Sequence, residues 1–363
     1  MSNLHYIIPI FVPHEGCPHE CVFCNQNSIT GTKAKVDEMY VRQTVNDYLQ
    51  TINSDDAIIE VSFFGGTFTA IKTEKQIELL TVAKEFKDNN KIKYIRLSTR
   101  PDYIDDKVLS NLKKYSVDII ELGVQSLDEE VLLKSGRGHT AQDVEVASKL
   151  IKQYGFILGH QIMIGLPGDN INKDIDTTKG VIKLKPDICR IYPALVIKGT
   201  HMEEMYTEQT FKPYTLSEAV NISKIIYIMM VANQINVIRI GLQATEEISE
   251  GNDLVAGPFH PAFGELVEGS IYNNLLYEVI MNHYKNNIAI KKVLVKINPK
   301  DISKLYASGK SFFYDMKKQI KTVSIDVIQD ITIKRGSIGI CIEDKCTIMT
   351  IYGYVHKKYK EGF

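Results

Sequence analysis

At 363 residues, 44% hydrophobic and 24% charged, the chain is long enough for about two domains and ordinary enough to bury a core. It has no run of about 18 apolar residues, so no membrane span is expected, and its start lacks the basic flank and cleavage site of a signal peptide. The net charge of −1 hides an asymmetry: residues 281–363 carry 16 Lys or Arg against 7 Asp or Glu, a balance of +9 that leaves −10 on the rest. A basic segment on an acidic body points either to a polyanionic partner or to a solvated lysine-rich surface. Six cysteines without an export signal point to a reducing cytoplasm, where thiolates are available to metal.

The first apolar run, Tyr6–Val12, predicts a strand. Directly after it come Cys17-Pro18-His19-Glu20-Cys21-Val22-Phe23-Cys24, a Cys-x3-Cys-x2-Cys spacing. Three thiolates can hold a cubane 4Fe–4S cluster and leave one iron open to another ligand. The competing reading is zinc, with His14 or His19 as fourth ligand. Structural zinc more often draws on two separated pairs. Cys189, Cys341 and Cys346 supply no such pair: Cys341 and Cys346 lie in a strand–turn–strand pattern and Cys189 reads as a buried small hydrophobe.

Further strands are predicted at Ile58–Phe64, Ile92–Ser98, Asp118–Val124, Ile157–Ile164 and Asp187–Val196. Helical patterns near 38–52, 73–88, 105–115, 128–153 and 172–184 separate them. Runs apolar on both faces, joined by crossovers of ten or more residues, predict a parallel sheet with helices outside. Six such units make a partial (β/α)6 barrel over 1–205. The rhythm then breaks. A helix at Leu216–Asn233, a strand at Val237–Leu242, a long loop over 246–269 and a helix at Ser270–Tyr284 make up an extension, 206–285, that would close the barrel. Short strands and one helix near Asp301–Gly309 predict a small basic α+β domain over 286–363.

In parallel-strand barrels the working residues sit on loops leaving the C-terminal strand ends. Gly65-Gly66-Thr67, Ser98-Thr99-Arg100-Pro101-Asp102, Gln125-Ser126, Gly165-Leu166-Pro167-Gly168 and Lys198-Gly199-Thr200 all fall there, as do the three cysteines. Paired glycines are usually plain turns, yet at a strand end they also expose backbone groups to a ligand. Glu121, inside an apolar strand, needs a polar partner if buried. Arg100 reads equally as a surface ion pair or as a site residue.

Together these residues resemble the radical S-adenosylmethionine superfamily. The branch containing the elongator catalytic subunit and oxygen-independent coproporphyrinogen oxidase is the nearer likeness, through Thr99-Arg100-Pro101-Asp102, Glu121–Ser126, Arg137-Gly138-His139-Thr140, Gly165–Gly168 and Tyr192–Thr200. The resemblance covers about residues 5–205. It implies that Cys17, Cys21 and Cys24 hold a 4Fe–4S cluster whose open iron chelates S-adenosylmethionine. Reductive cleavage would then give a 5′-deoxyadenosyl radical that abstracts hydrogen from an unreactive carbon. It further implies Gly65, Gly66 and Thr67 for the methionine amino group, Arg137 for the carboxylate, Gln125 and Gln161 along the nucleoside, Phe23 near the adenine, and Glu121 in the same polar site. An electron donor of flavodoxin or ferredoxin type is implied as partner.

The departures matter as well. The elongator subunit has a longer gap between its first two cluster cysteines and carries an acetyltransferase domain with a Gly-rich loop, which is not found after residue 205. The aromatic-rich N-terminal arm of the coproporphyrinogen oxidase is missing too. The preferred expectation is a radical enzyme acting on RNA, most simply tRNA, with Lys291, Lys292, Lys296, Lys300 and Lys310 on phosphates and Tyr306 and Phe312 stacking. Arg100, Arg239 and His260 are further candidate substrate contacts. The alternatives are a radical enzyme on a small metabolite or tetrapyrrole, and a non-catalytic metal-binding scaffold.

Overall fold

Six of the apolar runs form strands β1 (His5–Phe11), β2 (Ile58–Phe64), β3 (Tyr94–Thr99), β4 (Ile119–Gln125), β5 (Ile157–Ile164) and β6 (Ile188–Pro193). In this computed structural model they pair in sequence order, every pair parallel, as a half-barrel sheet with helices in the crossovers. The structure describes residues 4–12, 17, 19–25, 36–52, 56–242, 252–285, 290, 292–320, 324–343 and 345–362. His14 and Lys291, both candidate site residues, lie outside the described residues.

All but one of the described crossover α-helices, Thr73–Asp88, start where a side chain satisfies an orphan amide. Asp37, Asp105, Asp128, Thr140 and Asn170 cap helices Glu38–Thr51, Asp106–Lys114, Glu129–Lys134, Ala141–Gln153 and Ile171–Leu184. The single helix expected over 128–153 is therefore two. Gly136 and Gly138 stand at φ +63° and +70°, a left-handed conformation that no α-helix accommodates. The helix restarts at a Thr140–Asp143 capping box. The last expected strand is also shorter. It stops at Pro193, and a two-residue strand β7 (Val196–Ile197) follows.

The chain divides into two compact units, Met1–Tyr214 with Gln243–Pro258 and Thr215–Leu242 with Phe259–Phe363. The stretch 206–285, expected as a barrel-closing extension, is shared between them. The second unit holds β8 (Asn236–Ile240), and the first holds β9 (Leu254–Ala256), which pairs antiparallel with β7. The loop expected over 246–269 is thus interrupted, and the following helix begins earlier than expected, spanning Phe263–Lys285. His260 explains that start: its Nδ1 accepts from the Ala262 amide at 3.1 Å and its carbonyl accepts from Phe263 at 3.0 Å.

The C-terminal sheet runs β11 (Ser324–Gln329), β10 (Lys292–Ile297), β12 (Ser337–Ile342), β13 (Lys345–Thr350). Val293, Val295 and Ile297 on β10 pack with Ile338, Ile340 and Ile342 on β12 against helix Phe263–Lys285 residues such as Leu275 and Leu276. Where one helix was expected, the segment has helices Ile302–Leu305 and Ser311–Gln319, and a terminal helix Ile351–Glu361 capped by Thr350. Cys341 and Cys346 face each other across β12 and β13, with Cα atoms 3.9 Å apart, and form a disulfide. Among the described residues no helix is long and apolar enough to cross a membrane.

Candidate functional site

Because β1–β6 are all parallel, their C-terminal ends lie along one edge of the sheet, and the residues leaving those ends build the site. The cysteine loop is tied down from two sides. The Val22 amide donates to Ser135 O at 3.1 Å, and the Met202 amide donates to Val22 O at 2.8 Å. Val22 is buried with Val131, Leu166, Ala194, Val196 and Met202, and Phe23 packs against that cluster. Cys21 is buried, Cys17 and Cys24 are half-buried, and none of the three is in a disulfide.

The broken helix supplies the floor of this loop. A Cβ on Gly136 would stand 3.1 Å from Glu20 O, and one on Gly138 would stand 2.3 Å from the His19 ring. Both positions need glycine, for backbone angle and for space. Between them, Arg137 is 6% exposed; its Nη1 donates to Cys21 Sγ at 3.3 Å and its Nη2 donates to Gly123 O. Arg100 grips Asp102 through two hydrogen bonds of 3.0 and 2.9 Å, and His19 stands 3.8 Å from the same carboxylate. Burial, then the charges of Arg137 and Arg100, push the buried His139 down to about 3, so its ring is neutral at physiological pH.

The concave face of the sheet carries a chain of charges. On alternating positions of neighbouring strands, Arg96 pairs with Glu60 at 2.9 Å and with Glu121, and Arg190 pairs with Glu121 at 2.9 Å. Gln161 donates to Glu121 at 2.7 Å and to Ser98 at 3.2 Å. Gly159 makes room, since a Cβ there would lie 2.6 Å from the Glu121 side chain. Burial alone would raise the Glu121 carboxyl, but Arg190 and Arg96 outweigh it and hold it below the usual range. Two carboxylates thus face two guanidiniums. Glu121 is the counter-ion of this network, and Gln161 spends its amide on it.

Gly65, Gly66 and the buried Thr67 follow β2 at the same edge. Gln125 ends β4 at φ +64°, beside a register shift, with its Oε1 buried and without a partner among the described residues. After β5, Tyr214 donates to Asp174 at 2.9 Å, and burial followed by the neighbouring Asp169 pushes the Asp174 carboxyl up to about 9. Sequence reasoning singled out Glu121 but missed Glu60, Arg96, Arg190 and Asp174. For Glu60, Arg96 and Arg190 the signal was a charge inside an apolar strand; Asp174, in the polar first turn of helix Ile171–Leu184, carried no such signal. In the second unit, half-buried Arg239 lies on β8, while Lys292 stands 2.9 Å from Asp326 and Lys296 4.0 Å from Asp330. Lys310 lies 4.6 Å over the Tyr306 ring.

A model of the Radical SAM superfamily matches residues 11–179, and one of the Radical SAM C-terminal domain matches residues 186–273. The chain belongs to the radical SAM superfamily. It is an enzyme of that superfamily, whose members use S-adenosylmethionine and a 4Fe–4S cluster. The tRNA uridine(34) acetyltransferase of Methanocaldococcus jannaschii is 28% identical over 256 residues, 60% of this chain and 47% of that one. Elongator complex protein 3 of Homo sapiens is 29% identical over 266 residues, 61% of this chain and 48% of that one. The chain therefore spans about half the length of these curated relatives. The archaeal Methanocaldococcus infernus Elp3 with its N-terminus deleted shares the fold, with a TM-score of 0.60 at 21% identity, covering 95% of this chain and 75% of that one.

The residues of this radical SAM chain fit such a pair of cofactors. Three thiols on one loop are soft, anionic donors when deprotonated. Beside them Arg137 Nε and Gln125 Oε1 are buried polar atoms without a partner among the described residues, a donor and an acceptor open to a zwitterionic ligand. Among the described residues no three His, Cys, Asp or Glu side chains converge as a single ion would need. A cluster spreads its thiolates over several irons, so it takes them at a wider spacing than a single ion does.

Proposed function

We propose that this radical SAM enzyme modifies RNA, with tRNA as substrate, using a 4Fe–4S cluster held by Cys17, Cys21 and Cys24. Held by these three thiolates, the cluster would supply the electron for reductive cleavage of S-adenosylmethionine, the chemistry from which hydrogen abstraction from the substrate would follow. The protein's own residues bind, orient and exclude water. Gly65, Gly66 and Thr67 offer backbone groups to the amino acid end of the cofactor, and Gln125 and Phe23 border its nucleoside. The charged lumen of Glu60, Arg96, Glu121 and Arg190 holds fixed dipoles where water would otherwise reorganise. A flavodoxin- or ferredoxin-type protein supplies the electron.

The observation that carries the RNA reading is the likeness to relatives named as tRNA uridine(34) acetyltransferases. The balance of +9 over residues 281–363 adds to it. Lys292 and Lys296 each face an aspartate, so Lys300 and Lys310 carry more of the phosphate contact than their neighbours. Two measurements test the proposal. Anaerobically reconstituted, dithionite-reduced protein should convert S-adenosylmethionine to 5′-deoxyadenosine, and Cys21→Ala should lose both iron and conversion. Affinity for tRNA should fall steeply with salt, with a log–log slope of about −0.9 per phosphate neutralised in duplex regions. Conversion without any tRNA affinity would sink the RNA reading and leave a small-molecule substrate.

A further inference from the structure

Arg137 is buried beside the cysteine loop, and among the described residues no carboxylate forms an ion pair with it. Asp102, on the neighbouring strand-end loop, is taken by Arg100 and His19. A buried guanidinium without an anion is costly, and with no S-adenosylmethionine bound the group within its reach that carries negative charge on ligating a cluster is the Cys21 sulfur. Arg137 touches the Gly123 carbonyl, which is neutral, and the Cys21 sulfur at 3.3 Å. Its position is fixed to that loop on both sides. Gly136 packs on the Glu20 carbonyl and Gly138 under the His19 ring, so Arg137 moves only if the cysteine loop moves.

We propose that Arg137 serves the cluster itself: its Nη1 donates a charge-assisted hydrogen bond to the Cys21 thiolate and holds the cluster's reduction potential up. This rests on the cluster reading given above. The physical basis is direct. A donor and a positive charge beside a ligating sulfur stabilise the more negative, reduced cluster over the oxidised one. Outer contacts of this kind also orient the ligand. Gly123 O, at the end of β4, is the anchor that aims the guanidinium. The assignment differs from the one the family resemblance implies, in which Arg137 meets the cofactor carboxylate. Only the thiolate contact acts when S-adenosylmethionine is absent.

The test is therefore made without S-adenosylmethionine. Wild type, Arg137→Gln and Arg137→Lys are reconstituted anaerobically, their iron is measured, and the cluster midpoint is read by redox titration followed by electron paramagnetic resonance. Arg137→Gln should lower the midpoint enough to raise the oxidised-to-reduced ratio at least tenfold at the wild-type midpoint, about 59 mV for a one-electron couple. Arg137→Lys, which keeps the charge and loses the fork, should fall between. If Arg137→Gln retains no iron, the lysine variant decides: a midpoint below wild type supports the inference and one equal to wild type overturns it. Midpoints equal to wild type overturn the inference, and weaker S-adenosylmethionine binding in those same variants would return Arg137 to the carboxylate. A wild type that takes up no iron fails earlier, and overturns the cluster reading itself.

Discussion

Arg96→Met is the sharpest probe of the charged lumen. Arg96 is 3% exposed and joins Glu60, at 0%, to Glu121, at 1%. Removing one partner of a buried ion pair costs about 3–5 kcal/mol, because it strands the other charge. The two carboxylates are not stranded equally. Glu121 keeps Arg190 at 2.9 Å and Gln161 at 2.7 Å. Among the described residues Glu60 keeps the Ser62 hydroxyl at 3.0 Å and His5 at 3.0 Å, whose side chain is 43% exposed and so well screened. Adding Glu60→Gln should therefore recover about 1–3 kcal/mol, the size of a coupling between contacting groups. Adding Glu121→Gln should recover less, since it takes the carboxylate from Arg190. The chain contains no tryptophan and has two units, so amide hydrogen exchange of β3 and β4 is the suitable assay. Equal recovery by the two double variants, or an Arg96→Met cost below about 1 kcal/mol, would refute this account.

Gly138→Ala should shift the His19 ring and lower iron retention on reconstitution: its φ of +70° is strained for alanine by about 1 kcal/mol, and its Cβ would stand 2.3 Å from that ring. An iron content equal to wild type would count against the loop packing. The pH profile of stability has two limbs. Asp174, with its carboxyl pushed up to about 9 from 3.8 by burial and by Asp169, keeps a proton when folded that it loses when unfolded. Its contribution is complete below about pH 4 and is lost as pH rises towards 9, at up to about 1.4 kcal/mol per pH unit. His160, fully buried against Ser148 and pushed down to about 3 by burial, acts in the opposite sense: stability is present above about 6.5 and falls as pH drops towards 3. Asp174→Asn should flatten the alkaline limb alone, which hydrogen exchange of β5 at pH 5 and pH 8.5 would check.

The barrel was legible because β1 to β6 are short, mostly apolar runs separated by helical crossovers of ten or more residues, the pattern of a covered parallel sheet. Where the pattern misled, local backbone overrode periodicity. The apolar spacing over 128–153 runs straight through Gly136 and Gly138, yet two left-handed residues end one helix and a capping box opens the next. The edge on which the strand-end motifs gather followed from strand direction alone. The lumen was read at one position of four. Glu121 was weighed as a buried charge needing a partner, but Glu60, Arg96 and Arg190 were passed over as single charges in strands. Their relation depends on register between strands, which one sequence does not state. His260, a candidate substrate contact in the sequence, has a local structural part at the start of helix Phe263–Lys285, where its Nδ1 accepts from the Ala262 amide.

The balance of two carboxylates and two guanidiniums across β2, β3, β4 and β6 has a consequence for how this chain can change over generations. Neutralising any one of the four leaves the network one charge out of balance, at a cost set by the partners its neighbours keep. Substitution in compensating pairs, such as Arg96 with Glu60, is expected to cost less than the first change alone. Descendants of this chain are therefore free to diverge on their loops while inheriting the lumen as a block.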